Sequence, residues 1–449
     1  MTATGEVSPA TGGTLGARML STFATRILLT GVGALTGIII ARALGPTGRG
    51  QYVVVVTVSS IAVALGHLSV EQAHVYLWAE LREQRRALIA NAGLLAAIVG
   101  GAVAVVAAVA VALLGPDLVP LFSTTALVIA LAAVPFSLMV MWNNGLLLLA
   151  GKLGRYNAGM LLGALTQCAL LIGLTLTGHI STFAVVAVWG ATMGLPLLVS
   201  LRTLRPRFRD ASLPLAVRTI RTGLRYHAGL AAFFLLLRLD VLLLNGLVSP
   251  EQVGLYSVAV TMAELVWLFT DSVANAVVAR QADSELADAA RVTAASVRFS
   301  IVGAVVLTLG IGVTSPLLLP FLYGAQFAGA VVPLAVLLPG VVCLAVSRPV
   351  GSYLLRLNRP LLTAGSAAAA GMLNVGLVLL LVPVLGIVGA SIAASAGYAA
   401  LALAYLALFR HFADTPWRDF LPRPAELAGV ARQTAGAIGS RRRHRKGQS

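Results

Sequence analysis

The stretch "LGPTGRGQYVVVVT" (Leu44–Thr57) returns as "VSPEQVGLYSVAVT" (Val248–Thr261), at a constant offset of 204 residues. Six positions are identical, among them Pro46 on Pro250, Gly50 on Gly254, Tyr52 on Tyr256 and Thr57 on Thr261. A weaker match near the same offset sets "AGKLGRYN" beside "LNRPLLTA". An internal repeat of this kind indicates that the chain is built from two similar halves.

The composition is typical of an integral membrane protein. Of the 449 residues, 58% are hydrophobic and 11% are charged, with a mean hydropathy of +0.92, whereas soluble domains carry about 25% charged residues. Apolar stretches of about 20 residues recur along the chain, each long enough to cross a bilayer as a helix. They lack the alternation of polar and apolar residues found in membrane barrels. We therefore predict an all-α polytopic membrane protein, not a soluble enzyme.

Hydropathy and the Gly, Pro and charge breaks predict twelve spans. They lie near 19–41, 51–77, 91–114, 118–149, 157–177, 181–200, 224–247, 254–278, 295–319, 329–354, 361–382 and 386–409. The offset of 204 residues covers six spans, so both halves enter the membrane from the same side. This arrangement predicts two six-helix lobes related by a pseudo-twofold axis along the membrane normal, with a cavity between them.

The basic residues predict the orientation. Connection 6 carries seven arginines between residues 202 and 225, connection 2 carries Arg82, Arg85 and Arg86, and the tail contains "RRRHRK". Cytoplasmic connections collect Lys and Arg, so both termini are expected in the cytoplasm. The net charge of +16 is then an orientation signal facing anionic membrane lipids, not a sign of nucleic-acid binding. The predicted segments are a cytoplasmic N-terminal segment 1–18, an N-lobe 19–200, a basic cytoplasmic linker 201–223, a C-lobe 224–410 and a basic cytoplasmic tail 411–449.

The chain has no motif for a cofactor, a metal or ATP. Cys168 and Cys343 lie in apolar runs without a CxxC pair, which supports neither a disulfide nor a zinc site. The phosphate-binding word GxxxxGK[ST] does not occur, so hydrolysis of ATP by this chain is not indicated. A membrane glycosyltransferase or polymerase would need a large hydrophilic loop with paired acids, but the longest internal connection holds one acid, Asp210. We therefore expect a protein that is not an enzyme.

The sequence resembles a known group of proteins. "ARALGPTGRGQY" after span 1 and "RLDVLLLNGLVSPEQVGLYSVAV" around spans 7 and 8 resemble segments of bacterial polysaccharide-biosynthesis membrane proteins. These are the Wzx-type flippases of the multidrug/oligosaccharidyl-lipid/polysaccharide (MOP) exporter superfamily. Twelve spans, instead of the fourteen of the superfamily's lipid II flippases, speak against that particular role.

The resemblance implies a function in the bacterial cytoplasmic (inner) membrane. Such a flippase turns a polyprenyl-diphosphate-linked oligosaccharide from the cytoplasmic to the outer leaflet by alternating access, for the synthesis of cell-surface polysaccharide. Its partners would be the lipid-linked glycan, membrane lipids, and the polymerase and glycosyltransferases of the same pathway. The cargo requires cations for the diphosphate and polar groups for the sugars, and Na⁺ or H⁺ could couple to its movement.

The stretch "FFLLLRLDVLLL" (Phe233–Leu244) places two charges inside an apolar run. An arginine at the centre of a membrane helix costs about 2.5–3.5 kcal/mol, so Arg238 and Asp240 need partners. Two positions apart, they diverge by about 200° around the helix and face different surroundings. At the repeat offset they fall on Ala34 and Thr36, so the architecture does not require them. We predict that Arg238 binds the diphosphate in the central cavity; the alternatives are a clamp to an acid on a neighbouring helix and snorkelling to the interface.

Further candidates lie in the other spans. For the diphosphate they are Arg348 and Arg26, for sugar hydroxyls Asn143, Asn144 and Asn374, and for Na⁺ or H⁺ coupling Asp240, Glu264 and Asp271. Each has a simpler alternative. Arg26 could be a cation near the inner interface, and Arg348 could donate to backbone carbonyls where Pro349 breaks a helix. The asparagines could form hydrogen bonds between helices. Glu264 and Asp271, seven residues apart on one face of span 8, could simply be polar residues that line a water-filled path. Asp240 could pair with a distant arginine or accept hydrogen bonds from backbone donors.

A stripe of His67, Glu71 and His74 could bind a metal or relay protons, but its position favours the wet interface.

The alternative function is a cation-coupled multidrug-type exporter of the same superfamily. Such exporters are expected to concentrate acids in the N-terminal lobe. Apart from Glu71, the first six spans here hold almost no acid, and this absence favours an anionic cargo.

Overall fold

A computed structural model of the protein describes residues 12–118, 124–283, 285–413 and 420. Within these ranges the secondary structure is helical: α1 Gly12–Gly66, α2 Val70–Glu80, α3 Arg85–Leu118, α4 Thr124–Leu149, α5 Leu153–Leu176, α6 Thr182–Thr192, α7 Gly194–Leu204, α8 Leu213–Leu247, α9 Pro250–Asp283, α10 Leu286–Tyr323, α11 Val331–Leu344, α12 Ser347–Arg356 and α13 Pro360–Ala413. Short 3₁₀ turns cover Arg82–Gln84, Phe208–Asp210 and Ala325–Ala330. The basic cluster "RRRHRK" and most of the predicted segments 1–18 and 411–449 lie outside the described residues.

The predicted all-α membrane fold is confirmed. The described residues contain ten helical stretches that are long and apolar enough to cross a membrane. Two of them, Ala24–Glu80 with 57 residues and Pro360–Ala413 with 54, are each long enough for two crossings. Each is interrupted by a glycine with positive φ, Gly45 (φ 66°) and Gly386 (φ 57°), whose backbone conformations side-chain-bearing residues rarely adopt. Divided at these glycines, the ten stretches become twelve segments.

The repeat extends through the fold at the offset of 204. Gly45 and Pro46 join the first two segments, and Pro250 begins α9 at the equivalent place. Gly386, the break within α13, corresponds to Thr182, the first residue of α6. Pro135 inside α4 corresponds to Pro339 inside α11. The same breaks therefore recur in both halves.

The chain divides into two compact units, Met1–His227 and Ala228–Ser449, here called the N-terminal and C-terminal units. Close packing of small residues holds helices together within each unit, as is usual in membranes. In the N-terminal unit, a Cβ on Gly100 would come 2.6 Å from the Cα of Pro135. In the C-terminal unit, a Cβ on Gly340 would overlap the backbone of Ser395. The predicted lobe limits, 19–200 and 224–410, stay predictions.

Large apolar side chains are exposed on the surface of both units. Examples are Leu113 of α3 and Leu317 of α10, whose exposed fractions are 76% and 81%. An apolar surface of this extent is stable in lipid and would aggregate in water. It agrees with a protein that crosses the membrane many times.

Some predicted boundaries differ from the observed helices, as two examples show. The segment predicted as the linker 201–223 is mostly helical, because α7 continues to Leu204 and α8 begins at Leu213. The second predicted span, 51–77, breaks where Leu68 and Ser69 adopt left-handed conformations before α2. Apolar composition marks which residues enter the membrane, but a helix can continue into polar sequence and can break inside an apolar run.

Candidate functional site

The candidate site lies in the C-terminal unit and begins with an ion pair between α8 and α9. The Nη2 of Arg238 lies 2.6 Å from Oε1 of Glu264. Their side chains are 33% and 38% exposed. This geometry is that of the clamp between helices, the simpler alternative for Arg238. Both side chains are partly exposed, so the protein does not enclose the guanidinium.

Asp240 belongs to a separate, buried contact between the same two helices. The Tyr256 hydroxyl donates a 2.5 Å hydrogen bond to its Oδ2, and the backbone N–H of Val241 donates to Oδ1 at 2.8 Å. Asp240 is 1% exposed, and Tyr256 is fully buried. Arg238 and Asp240 thus have different partners, as their angular separation on the helix predicts.

Arg348 forms a second ion pair with α9 and rests on aromatic rings. Its Nη2 lies 2.7 Å from Oδ1 of Asp271. Its guanidinium carbon lies 5.1 Å from the ring centroid of Trp267 and 5.9 Å from that of Phe233. Cation–π contacts of this kind hold an arginine in a defined orientation. The predicted break in span 10 is also present, since α11 ends at Leu344 and α12 begins at Ser347.

One face of α9 supplies both acids. Glu264, Trp267 and Asp271 follow one another at intervals of three and four residues, so they lie on one side of the helix. The acids face the two arginines, and Trp267 lies between them in sequence. Beside Glu264 and Trp267 the unit has a mainly apolar cleft lined by Leu237, Val260, Ala263, Leu337, Val341, Leu344 and Tyr398. We call Arg238, Glu264, Asp271 and Arg348 the charged cluster.

The N-terminal unit does not repeat the charged cluster. At the offset of 204, Ala34 stands for Arg238, Ser60 for Glu264, His67 for Asp271 and Asn144 for Arg348. None of these four is a carboxylate, an arginine or a lysine. The repeated helices therefore form in the N-terminal unit without the two ion pairs. The fold alone does not explain why the C-terminal unit has them.

The predicted sugar-binding asparagines are placed differently from one another. In the N-terminal unit, the Nδ2 of Asn143 donates to Ser200 Oγ at 3.3 Å, and that of Asn144 to Met160 Sδ at 3.4 Å. These are bonds between helices. Asn374 on α13 of the C-terminal unit is buried, and among the described residues its Nδ2 has no hydrogen-bond partner.

Two other predicted groups lie apart from the charged cluster. Arg26 is an exposed residue of α1 in the N-terminal unit. In the histidine stripe, His67 Nε2 lies 3.5 Å from Glu71 Oε2, but His67 and His74 are only 2% and 1% exposed. The expectation that this stripe lies at the wet interface is therefore wrong for both histidines, because the break at Leu68 and Ser69 packs them inside the unit.

Sequence reasoning missed three aromatic residues of the site: Phe233, Tyr256 and Trp267. Tyr256 was visible only as a member of the repeat, and the partner of its hydroxyl depends on how α8 and α9 are rotated against each other. Trp267 could have been found from its position between Glu264 and Asp271. Nothing in the sequence connects Arg348 to them.

Comparisons with known proteins place the chain in a family. Residues 15–259 match the family model described as "Polysaccharide biosynthesis protein", which is more than half of the chain. The match includes Arg238 and Asp240 and ends before Glu264. No curated protein sequence matches the chain.

Solved structures share the fold at low sequence identity. Lipid II flippase MurJ in an inward closed conformation superimposes with a TM-score of 0.68 at 12% identity, covering 90% of this chain and 89% of that one. A multidrug resistance MATE family transporter of the MOP superfamily, inward-facing, gives 0.66 at 15% identity, covering 86% and 94%. A MOP superfamily transporter from Pyrococcus furiosus gives 0.65 at 14% identity, covering 89% and 94%. The chain therefore belongs to the polysaccharide biosynthesis protein family and is a multi-pass membrane protein with the fold of the MOP superfamily transporters.

Proposed function

We propose that the protein is a flippase that moves a polyprenyl-diphosphate-linked oligosaccharide from the cytoplasmic to the outer leaflet of the bacterial cytoplasmic membrane. The observation that carries this proposal is the charged cluster. It places two partly exposed arginines, each with a carboxylate partner on α9, within helices that cross the membrane. Movement of the head group would occur by alternating access.

The energetic argument is that these charges are costly and the fold can do without them. A charged residue at the centre of a membrane helix costs about 2.5–3.5 kcal/mol, and ion pairing offsets only part of that cost. The N-terminal unit has the same helices with uncharged residues or histidine at the four positions. Charges that a duplicate of the fold lacks are best explained by the cargo.

The chemistry suits a diphosphate. A guanidinium binds phosphate oxygens through a fork of two hydrogen bonds, the same geometry in which it binds a carboxylate. We infer that the diphosphate displaces Glu264 from Arg238 and Asp271 from Arg348. The released carboxylates would then be close to the bound anion, and uptake of H⁺ or Na⁺ by Glu264, Asp271 or Asp240 would limit the repulsion. The exchange would link cargo binding to cation uptake.

The rest of the cargo has candidate contacts in the same unit. The buried amide of Asn374 could donate to a sugar hydroxyl, whereas Asn143 and Asn144 already bond to neighbouring helices. The apolar cleft beside Trp267 could receive the part of the lipid tail nearest the diphosphate. The polymerase and glycosyltransferases that make and use the glycan would be the functional partners.

A cation-coupled small-molecule exporter is the second candidate. The observation that favours it is the position of Glu264 and Asp271 beside Trp267, because carboxylates and an aromatic ring together suit a cationic molecule. The two arginines oppose such a cargo unless it displaces them from their acids.

The test is transport by the full-length protein in sealed vesicles. Proteoliposomes would contain a fluorescent polyprenyl-diphosphate oligosaccharide, and an impermeant glycosidase added outside would report head groups that reach the outer leaflet. A matched sample would follow uptake of a fluorescent quaternary ammonium dye. We expect protein-dependent movement of the glycan lipid and no transport of the dye. Dye transport with a stationary glycan lipid would favour the exporter and refute the flippase.

A further inference from the structure

A basic hollow in the N-terminal unit lies outside the charged cluster. It forms between the start of α3 and the segment that joins α7 to α8. Its lining residues are Arg86, Ile89, Leu204, Arg205, Pro206, Arg207 and Asp210. The hollow brings predicted connections 2 and 6 to the same end of the unit, in agreement with the expectation that both lie on one side of the membrane.

The wall of the hollow is anchored to α3. The side chain of Asn91, which is 3% exposed, makes two bonds to the backbone of Ser212: its Nδ2 donates to the carbonyl at 2.9 Å, and its Oδ1 accepts from the N–H at 3.0 Å. At the other end of the segment, Arg205 adopts a left-handed conformation with φ 49° and ψ 57°. Between them, the N–H of Asp210 donates to the carbonyl of Arg207 at 2.9 Å. Arg205 and Arg207 therefore lie on a defined turn, and Arg86 lies on α3.

The three arginines of the hollow have no acid partner. In the part of the chain that the structure describes, no carboxylate lies within 4 Å of the guanidinium of Arg86, Arg205 or Arg207. By contrast, Arg218 is held by Glu80 at 2.7 Å. Arg85 donates to the Trp78 carbonyl and lies over its ring. Asp210 is the single acid of the lining, so the hollow carries an excess of positive charge.

A compact anion with several acceptor oxygens would satisfy such an arrangement. Phosphate meets this description, since each guanidinium can place two N–H donors on its oxygens. Basic pockets between transmembrane helices at the cytoplasmic side are suited to lipid head groups. Exposed apolar side chains beside the hollow, Phe208 and Leu213 with exposed fractions of 64% and 77%, would be stable next to lipid.

We propose that the basic hollow is a phosphate-binding site formed by Arg86, Arg205 and Arg207. The phosphate group could belong to the head group of an anionic phospholipid or to a soluble phosphate. The site is separate from the charged cluster, and its occupancy does not depend on whether the protein moves a glycan lipid.

The experiment uses the full-length protein purified in detergent. Native mass spectrometry would count retained phosphatidylglycerol, with phosphatidylcholine as the neutral lipid, and calorimetric titration with inorganic phosphate would test the soluble source. The variant R86Q/R205Q/R207Q removes the three cations. The control R82Q/R202Q/R209Q removes three arginines of the same connections that do not line the hollow.

We expect the hollow variant to bind the phosphate probe roughly tenfold more weakly or worse, because three cations are lost, and the control to bind like the wild type. Loss confined to phosphatidylglycerol assigns the site to a lipid head group, and loss of inorganic phosphate binding assigns it to a soluble anion. If Arg205→Gln disturbs the turn, the single variant Arg86→Gln on α3 should still weaken binding by roughly threefold or more. Equal binding by the hollow variants and the control, for both probes, would overturn the proposal.

Discussion

The Tyr256 hydroxyl donates a 2.5 Å hydrogen bond to the carboxylate of Asp240, two residues from the partly exposed Arg238. One turn of α8 thus carries a buried carboxylate and a partly exposed guanidinium. Both are bound by α9, at positions eight residues apart. The two contacts are separate, so substitutions can test them one at a time.

The buried contact is expected to contribute to stability. Tyr256→Phe removes the side-chain donor from a buried carboxylate and should cost about 1–3 kcal/mol, seen as a lower midpoint of thermal unfolding in detergent. Adding Asp240→Asn should recover part of the loss, because the buried charge disappears. Tyr76→Phe, at a residue 61% exposed, is the control, and an equal shift in both tyrosine variants would contradict the assignment.

The stacked geometry of Arg348 is expected to matter for transport. Arg348→Lys keeps the charge but loses the planar fork and weakens the contact with Trp267. We expect glycan-lipid movement to fall about tenfold or more at unchanged protein level in the membrane. Arg359→Lys is the matched control, since Arg359 lies 5.0 Å from the Phe412 ring centroid but is exposed and outside the cluster. Wild-type rates for Arg348→Lys would mean that a point charge suffices.

Packing in the C-terminal unit depends on Gly340. A methyl group there would overlap the backbone of Ser395, so Gly340→Ala should cost about 1–3 kcal/mol by overpacking. Gly376 in α13 has no atom within 4 Å of an added Cβ, and its replacement by alanine should stabilise the helix by about 0.5–1 kcal/mol. Unfolding midpoints of the two variants should move in opposite directions; movement in the same direction would argue against the close approach.

The orientation of the protein in the membrane can be determined by labelling cysteines introduced at two exposed loop positions. In a background without Cys168 and Cys343, Arg207→Cys should be protected from a membrane-impermeant maleimide in intact cells. His179→Cys, in the turn between α5 and α6, should be labelled. The reverse pattern would invert the topology and place the basic connections outside, against the distribution of positive charge.

The sequence was sufficient to predict the helical framework, because local hydropathy identifies the membrane spans and local similarity identifies the repeat. Twelve apolar segments, the break between the first two of them, and the divergence of Arg238 from Asp240 could all be deduced without coordinates. The pairs Arg238 with Glu264 and Arg348 with Asp271 could not. They depend on the rotation of each helix about its axis, which is set by contacts between residues distant in sequence.

Two other features depend on breaks that apolar composition hides. His67 and His74 are buried because the helix is interrupted at Leu68 and Ser69, inside a run that hydropathy treats as continuous. The basic hollow depends on the left-handed turn at Arg205 and on the bond from Asn91 to Ser212. Local charge counting identified these arginines only as an orientation signal.

We infer that the Arg238–Glu264 pair serves the cargo and does more than join two helices. The most direct measurement is the rate of glycan-lipid movement in proteoliposomes by Arg238→Gln/Glu264→Gln, which removes both charges while keeping two side chains that can bond to each other. The matched control is Arg218→Gln/Glu80→Gln, an exposed ion pair of the N-terminal unit with a similar distance of 2.7 Å between Nη2 and Oε1. We predict roughly a tenfold or larger loss of rate for the first variant and a wild-type rate for the second, at equal unfolding midpoints. Wild-type rates for both variants would show that the Arg238–Glu264 pair is only a clamp between α8 and α9.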